Sequence, residues 1–343
     1  MFPAETSADC ILQTRVGASL GEHQFKTRMV RPFAAIVAGG FCGCLIALLP
    51  AVRTAPSPPV IAFIPRTSGT TFTEDMHRGA QAAARNAGYQ IYWNAPTRED
   101  DLDRQLLIAE AAVHRGAKAL ILGPTNVWGV TTMIDDLVAR KFPVVIVQTE
   151  APVPTGRYLT SVTPDQSQFG RLAAQRIADV TPKGGEVAIV GLDRGTPETV
   201  ARARSFRQAI AAFPGMEVVA QSPGAVQTLE AEQSTREIVK AFPRLRAIFA
   251  VSADATQGAM LALKDVDPRH AIAVVGCDPR ELFLMDNLAN GELDSLIATD
   301  GYRIGFLAMQ AAVAGAQGHP LQAPQHVGAA LLTRDDLVTA GNR

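Results

Sequence analysis

The stretch VIAFIPRTSGTTFTEDMHRGAQAAARNAGYQI, residues 60–91, holds the pattern that decides the fold. An apolar, β-branched run opens it at Val60, a helical pattern follows, and a second run of strand-forming residues begins at Tyr89. Strand and helix patterns that alternate at this spacing are typical of βαβ units, in which the two strands lie parallel.

The same rhythm occurs twice along the chain. Strand-forming runs begin near residues 60, 89, 119 and 144, and a second set begins near residues 187, 217, 247 and 272. The spacings are 29, 30 and 25 residues in the first set and 30, 30 and 25 in the second, with 43 residues between the sets. The sequence therefore predicts two βα arrays of similar layout.

The runs are almost continuously apolar, and amphipathic helical patterns separate them. Leu102, Leu106, Ala109 and Val113 recur at helical spacing, and Gly116 follows as a C-cap. Apolar strands between such helices are buried on both faces, as in parallel sheets with right-handed crossovers. The predicted fold class is α/β, with two doubly wound parallel-sheet lobes and a hinge.

Composition and motifs narrow the function. The 343 residues include 32 Lys and Arg against 33 Asp and Glu, so no overall field attracts nucleic acid or an anionic surface. The sequence contains no GxxxxGK phosphate loop, no HExxH pair and no well-placed dinucleotide fingerprint. We therefore expect a binding protein and not an enzyme, with no catalytic residue, no metal site and no cofactor.

The N-terminus has the composition of a targeting segment. Two arginines precede an apolar run over residues 33–49, and small residues lead to a cleavage position near Ala55. This order predicts a secretory leader over residues 1–55 and a mature protein in the periplasm or cell envelope. The alternative is an uncleaved membrane anchor, because the run approaches the length of a membrane span. Met29, just before the run, is a candidate for the true start.

Candidate binding residues follow from the predicted topology. Parallel sheets collect ligands at the carboxyl ends of their strands, where loops converge and helix N-termini point inward. Two arrays of matched layout create a cleft between them. Polar residues stand at these strand ends, namely Arg66, Thr125, Gln148, Thr149, Asp193, Ser252 and Asp278.

Three further stretches share their motifs and order with a known family. They are ETVARARSFRQAI (198–210), AIFAVSADATQGAMLAL (247–263) and VVGCDPRELF (274–283). Together with residues 60–91, they make the chain resemble the ribose-type periplasmic sugar-binding proteins, whose lobes are shared by lac-repressor-type regulators. The resemblance implies a type I periplasmic binding protein-like fold.

The resemblance also implies the boundaries of the two lobes. The chain would cross between them near residues 161–164, 298–299 and 323–328. The last crossing would return a short strand, residues 327–332, to the second lobe. The N-terminal lobe would comprise residues 58–162 and 300–325, and the C-terminal lobe residues 163–299 and 326–343.

At the family's ligand positions the match is partial. Arg202 corresponds to the family's sugar-binding arginine, Asp278 to its aspartate and Phe72 to one of its aromatics. Other residue types stand at most of the remaining positions, and Arg66 replaces a small polar residue. The resemblance thus implies a ligand site made of Arg66, Thr70, Phe72, Thr73, Gln148, Thr149, Arg202, Ser252, Asp278 and Thr299.

The residue types at this site indicate the ligand class. The planar guanidinium groups of Arg66 and Arg202 suit a carboxylate, a phosphate or several hydroxyl oxygens, and Asp278 supplies an acceptor. The expected ligand is a monosaccharide or a sugar-derived polar molecule, with or without an acidic group.

The resemblance implies a monomeric solute-binding protein that delivers its ligand to the permease of an ABC importer. A receptor for a chemotaxis or two-component membrane sensor is an alternative. The effector domain of a transcription regulator is disfavoured, because an apolar run and not a helix-turn-helix precedes the first strand. We expect no nucleic-acid partner.

Other conspicuous side chains have structural interpretations. Trp93 ends a predicted strand and is expected in the core, whereas Trp128 fits either cleft lining or lobe packing. His77 and His114 fall on predicted helices and are expected at the surface. Asp254 is expected to cap a helix.

Overall fold

The computed structural model describes residues 57–193, 196–223, 227–278 and 282–341. The predicted leader, residues 1–55, and the candidate start at Met29 lie outside these ranges. Within them, no helix has both the length and the apolar character that a membrane crossing requires.

Strands and helices alternate along the described chain. The first part contains β1 (Val60–Ile64), α1 (Thr71–Ala87), β2 (Gln90–Trp93), α2 (Leu102–His114), β3 (Leu120–Leu122), α3 (Thr131–Ala139), β4 (Val144–Val147) and β5 (Leu159–Pro164). The second contains α4 (Gln166–Val180), β6 (Gly185–Leu192), α5 (Pro197–Ile210), β7 (Met216–Pro223), α6 (Thr228–Ala241), β8 (Leu245–Ala250), α7 (Ala253–Val266), β9 (Ala273–Cys277), α8 (Leu282–Asn290) and β10 (Ser295–Thr299). The last contains α9 (Gly301–Ala316), β11 (Gln325–Val327), β12 (Ala329–Thr333) and α10 (Arg334–Gly341).

The strands form two six-stranded sheets of the same topology. Their strand orders are β11-β5-β4-β3-β1-β2 and β12-β10-β9-β8-β6-β7. Neighbouring strands are parallel in both sheets, except that β10 and β12 are antiparallel. The predicted α/β class with two doubly wound lobes is confirmed. Each of the eight predicted strand starts lies within two residues of an observed start.

The chain passes between the sheets three times. β5 ends at Pro164 in the first sheet, β10 ends at Thr299 in the second, and Gly328 separates β11 in the first from β12 in the second. The first and third passages lie two residues beyond the predicted lobe boundaries at 162 and 325. The reason is that β5 and β11 pair in parallel as far as Pro164 and Val327.

The apolar strands are buried on both faces, which explains why they appear in the sequence as continuous runs. In β1, Ile61 and Phe63 belong to a core cluster with Met76 of α1, while Ile64 belongs to a cluster on the other face with Ile108 of α2. The strands of the second lobe are sandwiched in the same way.

Helices approach each other at glycines in both lobes. Gly79 and Gly305 let α1 and α9 pack closely, and Gly170 does the same for α4 and α5. A Cβ at Gly305 would overlap the Met76 carbonyl oxygen, and one at Gly170 would overlap the Ser205 hydroxyl. These contacts fix α1 and α5, whose first turns face the space between the lobes.

Candidate ligand-binding cleft

A cavity of about 380 Å³ lies between the carboxyl ends of the two sheets. This volume falls within the range of small-molecule sites, about 300–1,000 Å³. Both lobes contribute to its walls. The lining residues are Arg66, Thr71, Phe72, Asp75, Glu99, Gln148, Pro164, Gln166, Thr196, Glu198, Thr199, Arg202, Ser252, Ala253, Asp254, Asp278, Ala298, Thr299 and Leu332.

Arg66 and Gln148 form the polar wall of the first lobe. Arg66 directly follows β1 and Pro65, and Gln148 follows β4. The Arg66 backbone N–H donates to Gln148 Oε1 at 2.9 Å, and Arg66 Nε donates to the Pro124 carbonyl oxygen at 3.0 Å. The Gln148 amide fits there because position 123 is glycine, since a Cβ at that position would overlap the amide oxygen. The two side chains are therefore held against the strand ends.

A fully buried glutamine of α2, Gln105, ties together the loops behind this wall. Its Nε2 donates to the Gly123 carbonyl oxygen at 2.8 Å, and its Oε1 accepts from the Thr125 backbone N–H at 2.9 Å. A buried amide whose hydrogen bonds are satisfied restricts the backbone that it contacts. Its Nε2 also donates to the Pro65 carbonyl oxygen at 3.4 Å, so Gln105 is a positioning residue for the loops after β1 and β3.

Arg202 of α5 is the centre of the second wall. Its Nη1 donates to Asp278 Oδ2 at 2.5 Å and to the Val251 carbonyl oxygen at 2.9 Å, and its Nη2 donates to Asp278 Oδ1 at 3.2 Å. Its Nε donates to Gln166 Oε1 at 2.7 Å, and its guanidinium lies 3.9 Å from the ring centre of Phe169. Four of its five N–H groups are therefore used within the lobe.

Electrostatics keep this buried arginine charged. Burial by itself lowers the pKa of Arg202, but the Asp278 carboxylate, with a contribution from Glu198, outweighs burial and raises that pKa above its usual value. Burial also raises the pKa of the neighbouring Cys277 thiol, so this cysteine is a neutral core residue.

One ion pair crosses the cleft. Arg66 Nη2 of the first lobe lies 3.5 Å from Glu198 Oε1, in the first turn of α5 of the second lobe. The two side chains are 24% and 16% exposed, so the pair is only partly screened by solvent. It joins the two walls through residues that also line the cavity.

The two lobes hold their ligand-facing residues with the same backbone device. Gln148 follows β4 with φ 70°, and Asp278 follows β9, the corresponding strand of the second sheet, with φ 56°. Residues other than glycine rarely adopt this left-handed conformation, and such residues concentrate at functional sites. Here the conformation turns a polar side chain into the cleft at equivalent positions of both lobes.

The fold, the cleft and the sequence identify the family. The family model of the periplasmic binding protein domain matches residues 61–320. The chain belongs to the periplasmic binding protein family. This confirms the resemblance that the motifs at residues 60–91 and 198–283 indicate.

Curated relatives of this periplasmic binding protein include importer components. A D-apiose import binding protein of Actinobacillus succinogenes is 25% identical over 235 residues, covering 68% of this chain and 74% of the relative. A ribose import binding protein of Bacillus subtilis is 24% identical over 246 residues, covering 72% of this chain and 78% of the relative.

Solved structures share its fold. An arabinose binding protein from Geobacillus stearothermophilus superimposes with a TM-score of 0.76 at 19% identity, covering 83% of this chain and 99% of the other. An ABC transporter solute-binding protein from Agrobacterium vitis, bound with α-D-tagatopyranose, superimposes with a TM-score of 0.72 at 21% identity, covering 82% and 97%.

Seven of the ten predicted site residues line the cavity of this periplasmic binding protein, and three do not. The seven are Arg66, Phe72, Gln148, Arg202, Ser252, Asp278 and Thr299. Thr70 and Thr73 instead form a capping box at the start of α1, where each side-chain oxygen accepts from the other's backbone N–H. Thr149 is buried just beyond Gln148, outside the cavity lining.

The cavity also contains residues that the sequence interpretation missed. Gln166 begins α4 directly after the first passage, and Glu198 lies one helical turn before Arg202. That i, i+4 spacing places Glu198 on the same face of α5 as the predicted arginine. The spacing was therefore a usable signal for Glu198, although it equally fits an ion pair within one helix.

Other expectations have mixed outcomes. Trp93 packs against Phe63 of the core cluster but is itself only partly buried. His77 is not a simple surface residue, because its ring stacks on Trp93 at 4.2 Å and is partly buried. Trp128 is 72% exposed and outside the cavity lining, which contradicts both interpretations of it. Ser252, not Asp254, provides the side-chain cap of α7, where it accepts from the Ala255 backbone N–H at 3.1 Å.

A larger groove, of about 770 Å³, lies elsewhere on the second lobe. Its lining includes Lys183, Gly184 and Ala273, at the N-terminal ends of strands β6 and β9. That edge is the opposite one from the edge where open α/β sheets bind ligands, and residues of the first lobe take no part in the groove.

Among the described residues, no group of three or more His, Cys, Asp or Glu side chains has the arrangement of a metal site.

Proposed function

We propose that this protein captures a sugar or sugar-like polar molecule between its lobes and presents it to the permease of an ABC importer. One observation carries the proposal: polar side chains of both lobes, led by Arg66 and Gln148 on one side and Arg202 and Asp278 on the other, converge on a single cavity. Two of the relatives, import binding proteins for D-apiose and for ribose, support the same class of function.

The groups around the cavity suit a polyhydroxylated ligand. The Asp278 carboxylate accepts hydrogen bonds from hydroxyl groups, while the guanidinium groups of Arg66 and Arg202 donate to ligand oxygens. Phe72 presents a partly buried aromatic ring, against which the C–H face of a sugar ring can pack. Because these groups are already held by neighbours, little ordering is needed when the ligand arrives, and affinity is retained.

Closure follows from the connections between the lobes. At the passages, the Asp165 backbone N–H donates to the Val327 carbonyl oxygen at 2.9 Å, and Gln168 Oε1 accepts from the Ala329 backbone N–H at 2.8 Å. Gln166, between these two, accepts from Arg202. A ligand that touches both walls favours the closed arrangement of the lobes, and a membrane partner recognises that shape.

The location of the protein is part of the proposal. Residues 1–55 have the order of a secretory leader, and a periplasmic binding protein acts outside the cytoplasmic membrane, where the permease is reached.

A thermal-shift screen of the exported protein tests this function. The probes are D-ribose, D-arabinose, D-allose, D-tagatose, D-apiose and xylitol. A ligand present at 100 times its Kd stabilises the folded state by about 2.7 kcal/mol, so a cognate sugar raises Tm. We expect at least one compound to do so and to be recovered chemically unchanged. If none raises Tm, or if the bound compound is consumed, the proposal is wrong.

A further inference from the structure

Both arginines of the cavity already have carboxylate partners. Arg202 donates to both oxygens of Asp278 from within the second lobe, and Arg66 is paired across the cleft with Glu198. Arg202 is buried and keeps at most one of its five N–H groups for a ligand. Neither guanidinium is therefore presented as an open fork to a carboxylate or phosphate.

The rest of the lining adds negative charge. Among the described lining residues there are five carboxylates and two guanidinium groups, and the three carboxylates besides Glu198 and Asp278 are Asp75, Glu99 and Asp254. Asp75 pairs with Arg78, whose side chain is 70% exposed, and Asp254 accepts from the Thr228 hydroxyl at 3.2 Å. An anion that enters the cavity therefore meets carboxylates contributed by both lobes.

Glu198 differs from the other carboxylates of the lining because it faces Arg66 across the cleft. A sugar hydroxyl can enter between them, since it accepts from the guanidinium and donates to the carboxylate. An anionic group cannot enter there in the same way. It must displace Glu198 from Arg66, which leaves two negative charges side by side in a partly desolvated site. Like charges in such contact weaken binding strongly.

We propose that Glu198 is a specificity-determining residue that makes this cavity reject acidic sugars and sugar phosphates in favour of neutral sugars. This inference rests on the proposed function, because it concerns the selectivity of the same cleft. The sequence left open a ligand with or without an acidic group, and this inference selects the neutral one.

The test compares neutral sugars with their charged counterparts. The probes are D-ribose, D-arabinose, D-glucose and D-galactose, each beside its 5- or 6-phosphate, and the two hexoses also beside their uronates. Calorimetry gives the ratio of Kd values within each pair for the wild type, Glu198→Gln and Glu186→Gln. Glu186 is the matched control: it is 14% exposed and paired with Arg244 at 2.5 Å, in the same lobe but outside the cavity lining.

In the wild type we expect the neutral member of a bound pair to bind about tenfold tighter or more, and Glu198→Gln to narrow that ratio about tenfold. Glu186→Gln should leave the ratio unchanged. Arg66→Gln, which removes the partner of Glu198, should widen the ratio of Kd values. If Glu198→Gln does not fold, the ratio measured for Arg66→Gln tests the inference in its place. Equal or tighter binding of the anionic member by the wild type, or an unchanged ratio in Glu198→Gln, overturns the inference. If the wild type binds no sugar in the thermal-shift screen and no probe here, the proposed function itself fails, and the inference falls with it.

Discussion

The guanidinium of Arg202 and the carboxylate of Asp278 form a two-point ion pair, with Nη1–Oδ2 and Nη2–Oδ1 distances of 2.5 and 3.2 Å. Arg202 belongs to α5 and Asp278 follows β9, so the pair joins a helix to a strand end. The arginine is 6% exposed and the aspartate 26%. The ligand-facing wall of the second lobe is therefore held together by contacts within the protein itself.

Replacing Arg202 tests whether this pair supports both stability and binding. Arg202→Met leaves Asp278 without its cation, and we expect a loss of up to about 3 kcal/mol in the free energy of unfolding, less than for a fully buried pair because Asp278 is partly exposed. Sugar binding should be abolished. Urea unfolding and calorimetry measure the two effects.

The matched control is Arg204→Met, two residues along the same helix, where the side chain is exposed. It should change neither stability nor affinity appreciably. The double variant Arg202→Met with Asp278→Asn removes the unpaired charge and should regain part of the stability without regaining binding. Sugar affinity that survives in Arg202→Met would exclude this residue from the site.

Lys141 ends α3 in a left-handed conformation, with φ 61°. Its backbone N–H donates to the Val138 carbonyl oxygen and that of Phe142 to Leu137, both at 2.9 Å, which is the Schellman pattern that glycine usually completes. A left-handed φ costs a residue with a Cβ about 1–2 kcal/mol, and substitution by glycine removes this cost. The larger conformational entropy of glycine in the unfolded state offsets roughly 0.5–1 kcal/mol of that gain in stability.

We therefore expect Lys141→Gly to stabilise the protein by about 0.5–1 kcal/mol in urea unfolding. Arg140→Gly is the control, because Arg140 has φ −81° and gains nothing from glycine. Sugar affinity should not change in either variant. A destabilised Lys141→Gly would show that the left-handed turn carries no strain.

Gly170 tests the close approach of α4 to α5. A Cβ there would overlap the Ser205 hydroxyl and press on the backbone of α5 at Arg202 and Phe206. Gly170→Ala should cost about 1–3 kcal/mol of stability by overpacking, and it should also weaken sugar binding, because α5 carries Arg202. Gly156→Ala is the control, since a Cβ at that position meets nothing within 4 Å. Equal effects of the two substitutions would contradict this account of the helix contact.

His77 makes stability depend on pH. Burial against Trp93 lowers the pKa of His77 below its usual 6.5, and the charge of Glu74 offsets part of that effect. As pH falls through about 6.5, the unfolded chain takes up this proton before the folded protein does, so the folded state loses stability. We expect a change from pH 7.5 to pH 5.5 to lower the free energy of unfolding more in the wild type than in His77→Gln. A difference that stays constant would show that this histidine is not perturbed.

The fold could be predicted from the sequence because parallel strands buried on both faces appear as short continuous apolar runs. The third passage between the sheets, at Gly328, was harder to predict. The expected strand over residues 327–332 corresponds to β12 of the second sheet, which begins two residues later, whereas the short strand β11 before Gly328, in the first sheet, was not predicted. A segment this short has no periodicity that marks a change of sheet.

The site could be predicted in part, for physical reasons that differ between residues. Arg66, Gln148 and Asp278 directly follow the carboxyl ends of strands, so topology alone indicates them. Thr70 fits both a loop ligand and a helix cap, and in the structure it makes the capping hydrogen bonds with Thr73. The contact of Glu198 with Arg66 joins distant parts of the chain across two lobes, and no local pattern specifies it.

The most direct test of the account is a crystal structure of the wild-type exported protein grown with the sugar that raises its Tm most. We predict electron density for the sugar in the cavity between the lobes. At least one hydrogen bond should come from Arg66 or Gln148 and at least one from Arg202 or Asp278. A sugar bound to one lobe alone, or in the groove beside Lys183, would contradict the claim that this protein binds its ligand by closing two lobes around it.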